Sequence, residues 1–481
     1  MRMGRMGIIW GLLFSIGSQA QNYHAIEGSP FAGSLGVANN PASILMTPYP
    51  WDITVLSLQV KTATNAVTFH HLSFLSPGGT SQYSFDGGNK KRYADFNVNL
   101  HLLNIRLALS KKVALAGGIN IRSYGAVRTG LANYNDTLGD MNQFFNINEA
   151  TTYSAYGVSS SWLEGFLTYS RTLWDNEVSR LNGGITLKVM RGISGAFAQL
   201  NNATVQRTVS GTQTVYLLNG GNARYGYSSN YDRWFNGRST TDNLRSFLGK
   251  TRNGAALDLG AEYLVKTQAV KNYSDGDDYY DYEWKIGVSI LDIGRNTYAF
   301  GSQSRGASNP KANVSDSALD VKFGDPGSLA KFNDSLATIV NNIGGYSGVF
   351  NIWNPTRLVI NVDRALPNNF AVNANLSLNL SGSNSGKGKT FFVREMNLLN
   401  ITPRWETRRW GAYLPIQVTT DGKVWVGGAV KAGPLLLGVH NWANVFLNNK
   451  IQNGGFYLAL VIRPGQGFAD KEDKRYDCPK F

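Results

Sequence analysis

The stretch that decides the fold is Phe370-Ala-Val-Asn-Ala-Asn-Leu-Ser-Leu-Asn-Leu-Ser381, in which apolar and polar side chains alternate. The apolar positions are Phe370, Val372, Ala374, Leu376, Leu378 and Leu380, and the polar positions are Asn373, Asn375, Ser377, Asn379 and Ser381. Successive side chains of a β-strand point to opposite faces, so this repeat of two predicts a strand with one apolar and one polar face.

The same alternation recurs along most of the chain. It returns at residues 96–102, 113–122, 185–189, 257–263, 284–290, 423–431 and 456–462. Several segments approach the roughly 9 to 11 residues of a tilted membrane strand, whereas strands of soluble sandwiches average about 5 to 6. The polar faces carry Asn, Ser, Thr and some charges, as a hydrated lumen does. The pattern favours an all-β, transmembrane antiparallel β-barrel of roughly 12 to 16 strands over a secreted sandwich or propeller.

Aromatic residues are frequent, with 23 Tyr, 23 Phe and 11 Trp. Tyr and Trp commonly form girdles that flank the apolar band of a membrane barrel at its two interfaces. Six residues next to apolar strand faces are assigned to such girdles: Trp51, Tyr124, Trp162, Tyr298, Trp353 and Trp442.

The first twenty residues have the features of a secretory signal peptide. Arg2 and Arg5 precede an apolar run, and Ser18-Gln19-Ala20 provides small residues for cleavage after Ala20. The run is too short for a spanning helix, and no stretch of about 20 apolar residues follows it. We therefore expect export to the outer membrane, a barrel over residues 51–463 and a polar C-terminal tail over residues 464–481.

A long insertion between strands is expected at residues 296–348. Asp325-Pro326 and Gly344-Gly345 are boundary signals for a helix near residues 326–343, within which apolar residues recur at helical spacing. The helix could cover the barrel mouth. A packed loop helix without a gating role is the favoured interpretation, because long loops often carry such a helix for stability.

The sequence contains no pattern that indicates catalysis or metal binding. The single cysteine is Cys478, the five His lack the spacing of a zinc site, and no Gly-x-Ser-x-Gly elbow occurs. The net charge of +14 comes from scattered basic residues rather than a basic helix, which argues against nucleic-acid binding. We predict a protein that is not an enzyme, with no catalytic residue, metal or cofactor.

The most unusual charged run is Pro403-Arg-Trp-Glu-Thr-Arg-Arg-Trp410. In a strand, Arg404, Glu406 and Arg408 would share one face, and a basic residue facing lipid costs about 2 to 4 kcal/mol at the midplane. This row should therefore face the lumen. It could attract anions or gate the pore, but an internal ion-pair network that holds strands or a plug is favoured.

Several short motifs resemble a known group of barrels. Residues 28–43 form a Gly/Ala-rich run that ends in Asn40-Pro41-Ala42, and this run resembles the opening of FadL-like outer-membrane barrels. Residues 399–406, 413–415 and 427–438 are similar to a Bacteroidota-type family of unassigned function that is related to the FadL and PorV group. The resemblance spans nearly the whole mature chain.

The resemblance implies a barrel of about 14 strands whose N-terminal segment, residues 21–50, folds inside as a hatch. Gly33, Gly36 and Pro41 would let this segment pack tightly. No ligand-binding residue of the FadL group can be matched here. The implied function is transport of small or hydrophobic solutes, and the alternative is a PorV-like scaffold for a secretion or surface protein. Other expected partners are outer-membrane lipid and, during biogenesis, the barrel assembly machinery.

Overall fold

A closed antiparallel barrel accounts for most of the structure. The computed structural model describes residues 25–70, 82–149, 151–266, 282–382, 390–420, 422–446 and 451–464. The predicted signal peptide and, apart from Pro464, the predicted polar tail lie outside the described residues.

The barrel wall has fourteen strand positions, numbered here in chain order. They are β1 Trp51–Thr64, β2 Asn89–Ser110, β3 Val113–Asn133, β4 Tyr153–Asp175, β5 Ser179–Ser210, β6 Arg252–Lys266, β7 Tyr282–Ala299, β8 Arg357–Ala365, β9 Phe370–Asn379, β10 Leu398–Glu406, β11 Trp410–Tyr413 with Ile416–Thr419, β12 Val424–Val426 with Gly428–Ala432, β13 Leu435–Val439 and β14 Phe456–Ile462. Each strand pairs antiparallel with its neighbours, and β1 pairs with both β2 and β14. The predicted antiparallel barrel of about 14 strands is confirmed.

The outer surface of the barrel is apolar. On β7, Trp284, Ile286 and Val288 are exposed, whereas the alternate residues Lys285 and Ser289 are buried in the interior. The same division holds along β9, where the exposed positions begin with Phe370 and Val372. A closed sheet pairs its backbone groups without an edge, and an apolar exterior suits lipid. The fold is therefore that of a transmembrane barrel.

The two ends of the barrel differ in the length of their connections. At one end, here called the turn end, the connections that the structure describes are short, namely residues 111–112, 176–178, 366–369, 407–409 and 433–434. The opposite, loop end carries the long connections, which include residues 134–152, 211–251 and 300–356. In outer-membrane barrels, short turns face the periplasm and long loops face the exterior.

Among the described residues, the loop end carries five α-helices and nine further strands. The helices are α1 Met141–Ile147, α2 Thr240–Leu248, α3 Asp316–Phe323, α4 Leu329–Ile339 and α5 Ala443–Phe446. The further strands are Val67–His70, Gln82–Phe85, Gln213–Tyr227, Arg305–Pro310, Val314–Ser315, Val340–Gly345, Val349–Trp353, Thr390–Phe392 and Asn453–Gly454. None of the helices among the described residues is long and apolar enough to cross a membrane.

Three of these helices form a loop-end module with its own small core. The helices α1, α3 and α4 pack on the continuation of β5 and on the strand Gln213–Tyr227, around Phe145, Tyr216 and Leu336. Asp320 of α3 accepts a hydrogen bond from the backbone N–H of Met141, 3.0 Å away, and burial raises the pKa of its carboxyl. The module therefore joins helices from two separate loops.

The helix predicted near residues 326–343 is shorter than expected. It is α4, capped by Ser328, whose side chain accepts a hydrogen bond from the Lys331 N–H, so the prediction that Asp325-Pro326 marks the start of the helix was wrong. Residues 340–345 instead form a strand paired with Arg305–Pro310. Backbone pairing across the insertion outweighs local helical spacing there. The insertion also begins after Ala299, not at Asn296, and contains the unpredicted helix α3.

Three of the six residues assigned to aromatic girdles lie inside the barrel. Tyr124, Trp162 and Tyr298 are at most 2% exposed, whereas Trp51 and Trp442 are about 37% exposed. Tyr124 follows the lumen-facing Arg122 by two residues, so the period of a strand directs it inward. Alternation, and not residue type, determines which face an aromatic side chain occupies here.

Substitution of Leu187 by Arg should test the lipid-facing assignment. Leu187 lies on the outer face of β5 and is 60% exposed, and a basic residue near the bilayer midplane costs about 2 to 4 kcal/mol. The free energy of unfolding in lipid vesicles should fall by that amount. Val321→Arg on the exposed face of α3 is the matched control, with a change within about 0.5 kcal/mol. Equal losses at both positions would contradict the assignment.

Candidate functional site

Residues 25–49 lie within the turn end of the barrel and are called the hatch below. Most of the segment is buried, and it contains two 3-10 helices, Gly33–Ala38 and Pro41–Leu45. Leu35 packs with residues of β11, β12, β13 and β14, and Ile44 packs with residues of β3 and β4. The hatch therefore contacts opposite parts of the wall, and its action as a plug stays a prediction.

Four cations of the wall bind backbone carbonyl groups of the hatch. The bonds run from Arg106 to Ile44 (2.6 Å) and Tyr49 (2.8 Å), from Arg357 to Ala38 (2.8 Å), from Arg463 to Phe31 (2.8 Å) and from Lys285 to Gly28 (2.6 Å). Hydrogen bonds from charged donors are stronger than neutral ones. The hatch is thus held mainly through its backbone.

The predicted hatch motif makes close contacts with the wall. Asn40 caps the second 3-10 helix by accepting a bond from the Ala42 N–H at 2.9 Å, and its amide donates to the carbonyl of Ala261 in β6. A Cβ on Gly184 of β5 would lie 2.5 Å from backbone atoms of Pro41 and Ala42. Because Gly184 has no side chain, the Asn40-Pro41-Ala42 triplet can lie directly against the backbone of β5.

The two predicted hatch glycines have different surroundings. Gly33 has a φ of +58°, and a Cβ there would lie 2.6 Å from the carboxylate of Asp52. The same carboxylate accepts a 2.7 Å bond from the Ser34 N–H. Gly36 has no positive φ, but a Cβ would lie 2.6 Å from the Ser43 hydroxyl. Glycine is therefore required at position 33 both by the backbone conformation and by the lack of space for a side chain, whereas at position 36 only the lack of space requires it.

The charged run on β10 faces the lumen and joins the wall to the hatch. Arg404 binds Asp363 of β8 through two bonds of 2.6 and 2.8 Å, and its Nε lies 2.7 Å from Glu406. Glu406 also accepts bonds from Ser29 of the hatch (2.8 Å) and from Tyr413 (3.0 Å). This geometry is that of an internal ion-pair network.

Arg408 does not extend this row. The strand β10 ends at Glu406, so Arg408 lies in the following turn and is half-buried, with its carbonyl 3.3 Å from the Tyr49 hydroxyl. The expectation that Arg404, Glu406 and Arg408 share one strand face was wrong for Arg408. The turn between β10 and β11 begins at residue 407, so the alternation of strand faces ends before it reaches Arg408.

A second ionic cluster, which sequence reasoning did not identify, crosses the middle of the lumen. It consists of Arg122 of β3, Glu164 of β4, Lys188 of β5, Asp258 of β6 and Asp292 of β7, all at most 8% exposed. Arg122 lies 2.5 Å from Asp292 and 3.1 Å from Glu164. Lys188 lies 2.7 Å from both Asp258 and Asp292. We call these five residues the central cluster.

A bulge in β7 shapes the central cluster. The register of β7 against β6 shifts between Ile290 and Ile293, and Asp292 has a φ of +60°. The backbone N–H of Asp292 donates to Asp258 at 2.6 Å, while its carboxylate reaches Arg122 and Lys188. Bulges commonly redirect side chains in this way. Arg122, Lys188 and Asp258 stand at polar positions of the sequence pattern, but that pattern could not show which strands are neighbours.

An aromatic layer lies on the loop-end side of the central cluster. Its buried rings are Tyr124, Tyr156, Trp162, Phe197, Tyr298, Phe350 and Phe391. The Phe197 and Phe391 rings stack with centroids 3.7 Å apart. Phe391 belongs to the loop-end connection that joins β9 to β10, and its ring is buried in the lumen. The guanidinium of Arg122 lies 5.2 Å from the Trp162 ring and so links the two layers. Hatch, central cluster and aromatic layer therefore follow one another along the lumen.

The space around the hatch is small. One cavity lies between the hatch and the central cluster and is lined by Val37, Phe166 and Asp292, and a second lies between Glu27, Asn39 and Glu262. Each measures about 20 Å³. This is room for about one water molecule. Neither cavity would admit a larger solute without a shift of the hatch.

The fold and the filled lumen define a hatch-containing transmembrane β-barrel. The chain belongs to the Family of unknown function (DUF5723), which matches residues 41–439, and this confirms the prediction of a barrel family without an assigned function. A search of curated proteins finds no match.

Solved structures with a related arrangement are distant. A Pseudomonas aeruginosa FadL homologue is 10% identical with a TM-score of 0.39, covering 93% of this chain and 98% of that one. The Ralstonia pickettii toluene transporter TbuX is 11% identical with a TM-score of 0.37, covering 90% and 94%. The P. putida toluene transporter TodX is 8% identical with a TM-score of 0.36, covering 89% and 92%.

The substitution Asp292→Asn should strongly destabilise the barrel. It removes the carboxylate that Arg122 and Lys188 share, and breaking a buried ion pair costs about 3 to 5 kcal/mol. The measurement is the free energy of unfolding in detergent. Glu283→Gln provides the control, because its exposed pair with Arg364 spans 3.7 Å and should contribute less than about 1 kcal/mol. Similar losses for both variants would refute a central stabilising role.

The substitution Gly184→Ala should displace the hatch and raise single-channel conductance in planar bilayers. The new methyl group would overlap backbone atoms of Pro41 and Ala42. Gly165→Ala is the matched control, since a Cβ at that wall position has no neighbour within 4 Å. A heat-modifiable gel shift confirms that each variant is a folded barrel.

A variant in which residues 25–49 are deleted provides the reference, because its conductance is that of a lumen without the hatch. A folded deletion variant that conducts no better than the parent would show that the segment is not a plug. A conducting deletion variant together with an unchanged Gly184→Ala variant would show that the close contact at Gly184 does not hold the hatch.

Proposed function

We propose that this protein is an outer-membrane channel for small hydrophobic solutes and that the hatch gates it. The observation that carries the proposal is the aromatic layer. The interior of a membrane barrel is ordinarily polar, but here Trp162, Phe197, Phe350 and Phe391 face inward at the loop end. Ligand sites for apolar molecules are lined mainly by such side chains. The layer therefore favours an apolar solute over a sugar or an ion.

The outer membrane follows from the exterior of the barrel together with the signal peptide expected at residues 1–20. Closed β-barrels with an apolar band are the strand-based way of spanning a membrane. With its short turns toward the periplasm, the loop end would receive solute from outside. Solute would then meet the aromatic layer before the central cluster.

Passage beyond the aromatic layer requires the hatch to move. The central cluster brings three carboxylates together with two cations, and the charge of Arg357 also acts on Asp292. Paired charges of this kind offer no partner to an apolar molecule. The cavities beside the hatch are water-sized. A shift of the hatch would widen the turn-end half, so solute binding and hatch movement belong to one transport cycle.

The test is uptake of a small aromatic hydrocarbon by proteoliposomes that contain the full mature chain. Replacing Phe197 or Phe391 by Ser removes a ring from the layer, and the loss of an aromatic contact should lower uptake about 2- to 10-fold. Phe85→Ser is the control, because Phe85 lies on an exposed loop hairpin and is 39% exposed. Its uptake should equal that of the parent.

A different result would identify another role for the layer. If both Ser variants raised the uptake of the hydrocarbon and of sucrose alike, the rings would be a seal and the proposal would be wrong. If the parent protein gave no uptake, the alternative function, a scaffold that binds a secretion or surface protein, would be favoured. The folded loop-end module and its exposed Val321 favour that second candidate, and cross-linking in intact membranes should then recover one stoichiometric partner protein.

A further inference from the structure

A segment of the loop end folds back onto the outer face of the barrel. Residues 228–251, here called the collar, connect the strand Gln213–Tyr227 to β6 and include α2. The Tyr231 hydroxyl lies 2.7 Å from the Ser194 hydroxyl of β5, and Arg191 donates a 3.1 Å bond to the carbonyl of Leu248. Both ends of the collar are therefore fastened to one short stretch of β5.

This attachment lies where the lipid-facing band ends. Along the outer face of β5, Ile185, Leu187 and Val189 are exposed and apolar, and the next outward residue is Arg191. A change from apolar to basic residues marks the boundary between the hydrocarbon core and the headgroups. Since Arg191 holds the collar, the collar lies at the level of the headgroups.

The collar is folded, yet it exposes large apolar side chains. The buried amide of Asn243 bonds both the N–H (3.0 Å) and the carbonyl (2.9 Å) of Phe235, and Ser239 caps α2. The exposed apolar residues are Tyr231, Trp234, Phe235, Leu244 and Leu248. Leu244 and Leu248 lie one turn apart on α2 and so share a face. The arrangement is fixed, and within the part of the chain that the structure describes each of these side chains is 36 to 49% exposed.

The exposed charges of the collar are mainly basic. Arg238, Arg245 and Lys250 are exposed, and Arg238 lies 4.6 Å from the Phe235 ring. Of the two acidic residues, Asp232 accepts bonds from Tyr227 and Ser302, and Asp242 accepts one from Ser239. Aromatic and aliphatic side chains beside free cations are typical of segments that lie in an anionic membrane interface.

We propose that the collar binds the anionic lipid surface of the loop-end leaflet. Trp234, Phe235, Leu244 and Leu248 enter the headgroup region beside the barrel, and Arg245 and Lys250 bind lipid phosphate groups. Two observations select lipid as the occupant: the collar continues the lipid-facing band of β5, and its charge complements that of anionic headgroups.

Depth measurement by spin labelling tests the proposal. In a Cys478→Ser background, a nitroxide is placed at Leu248→Cys or, as a control, at Val321→Cys on α3, and the full mature chain is reconstituted in vesicles of phosphatidylcholine and phosphatidylglycerol. The Leu248 label should be more accessible to oxygen than to a water-soluble nickel complex, and the Val321 label should show the reverse. A Leu248 label as accessible to nickel as the Val321 label would overturn the proposal and leave a protein as the occupant.

Charge removal tests the headgroup contact separately. In the Leu248→Cys protein, Arg245→Gln and Lys250→Gln should each lower the oxygen-to-nickel accessibility ratio of the label in vesicles with phosphatidylglycerol, and should change little in phosphatidylcholine alone. High salt should reduce the difference. The gel shift confirms folding, because neither side chain contacts the barrel wall among the described bonds. An equal effect in both kinds of vesicle would contradict recognition of anionic lipid.

Discussion

The pairing of β1 with β14 is the constraint on which the rest of the structure depends. In lipid, a backbone N–H or C=O without a partner costs several kcal/mol, so a sheet must leave no open edge. Residues 53–59 of the first strand meet residues 457–462 of the last, although nearly the whole chain separates them. Once the sheet closes, each strand has an inner and an outer face, and alternation directs the mainly polar face of each strand into the lumen.

Closure creates a second requirement, because the polar faces of fourteen strands then converge in one narrow space. Charges removed from water must be paired and hydrogen-bonded. The central cluster and the Arg404, Asp363 and Glu406 network meet this requirement with carboxylates and cations from neighbouring strands. The hatch occupies the remaining volume, and four wall cations bind its carbonyl groups. The charged lumen and the hatch therefore stabilise each other.

Much of the fold could be predicted from local patterns, but the site could not. The alternation at Phe370 to Ser381 identified a strand and its lipid-facing side, and Arg404 and Glu406 were placed in the lumen because lipid would not tolerate them. The same rule applied to Tyr124 would have placed it inside. The central cluster was missed because its five members lie on five strands, and their meeting depends on register and on the bulge at Asp292.

The sequence by itself determined that this chain forms many amphipathic strands with one apolar and one polar face, and it favoured a closed barrel as their arrangement. These properties depend on neighbours one or two residues apart and on the cost of polar groups in lipid. Only the tertiary structure decided which charges pair, where the aromatic rings gather and how the hatch fills the turn end. Those contacts join residues far apart in the chain, such as Ser29 and Glu406, and follow from strand register and barrel curvature.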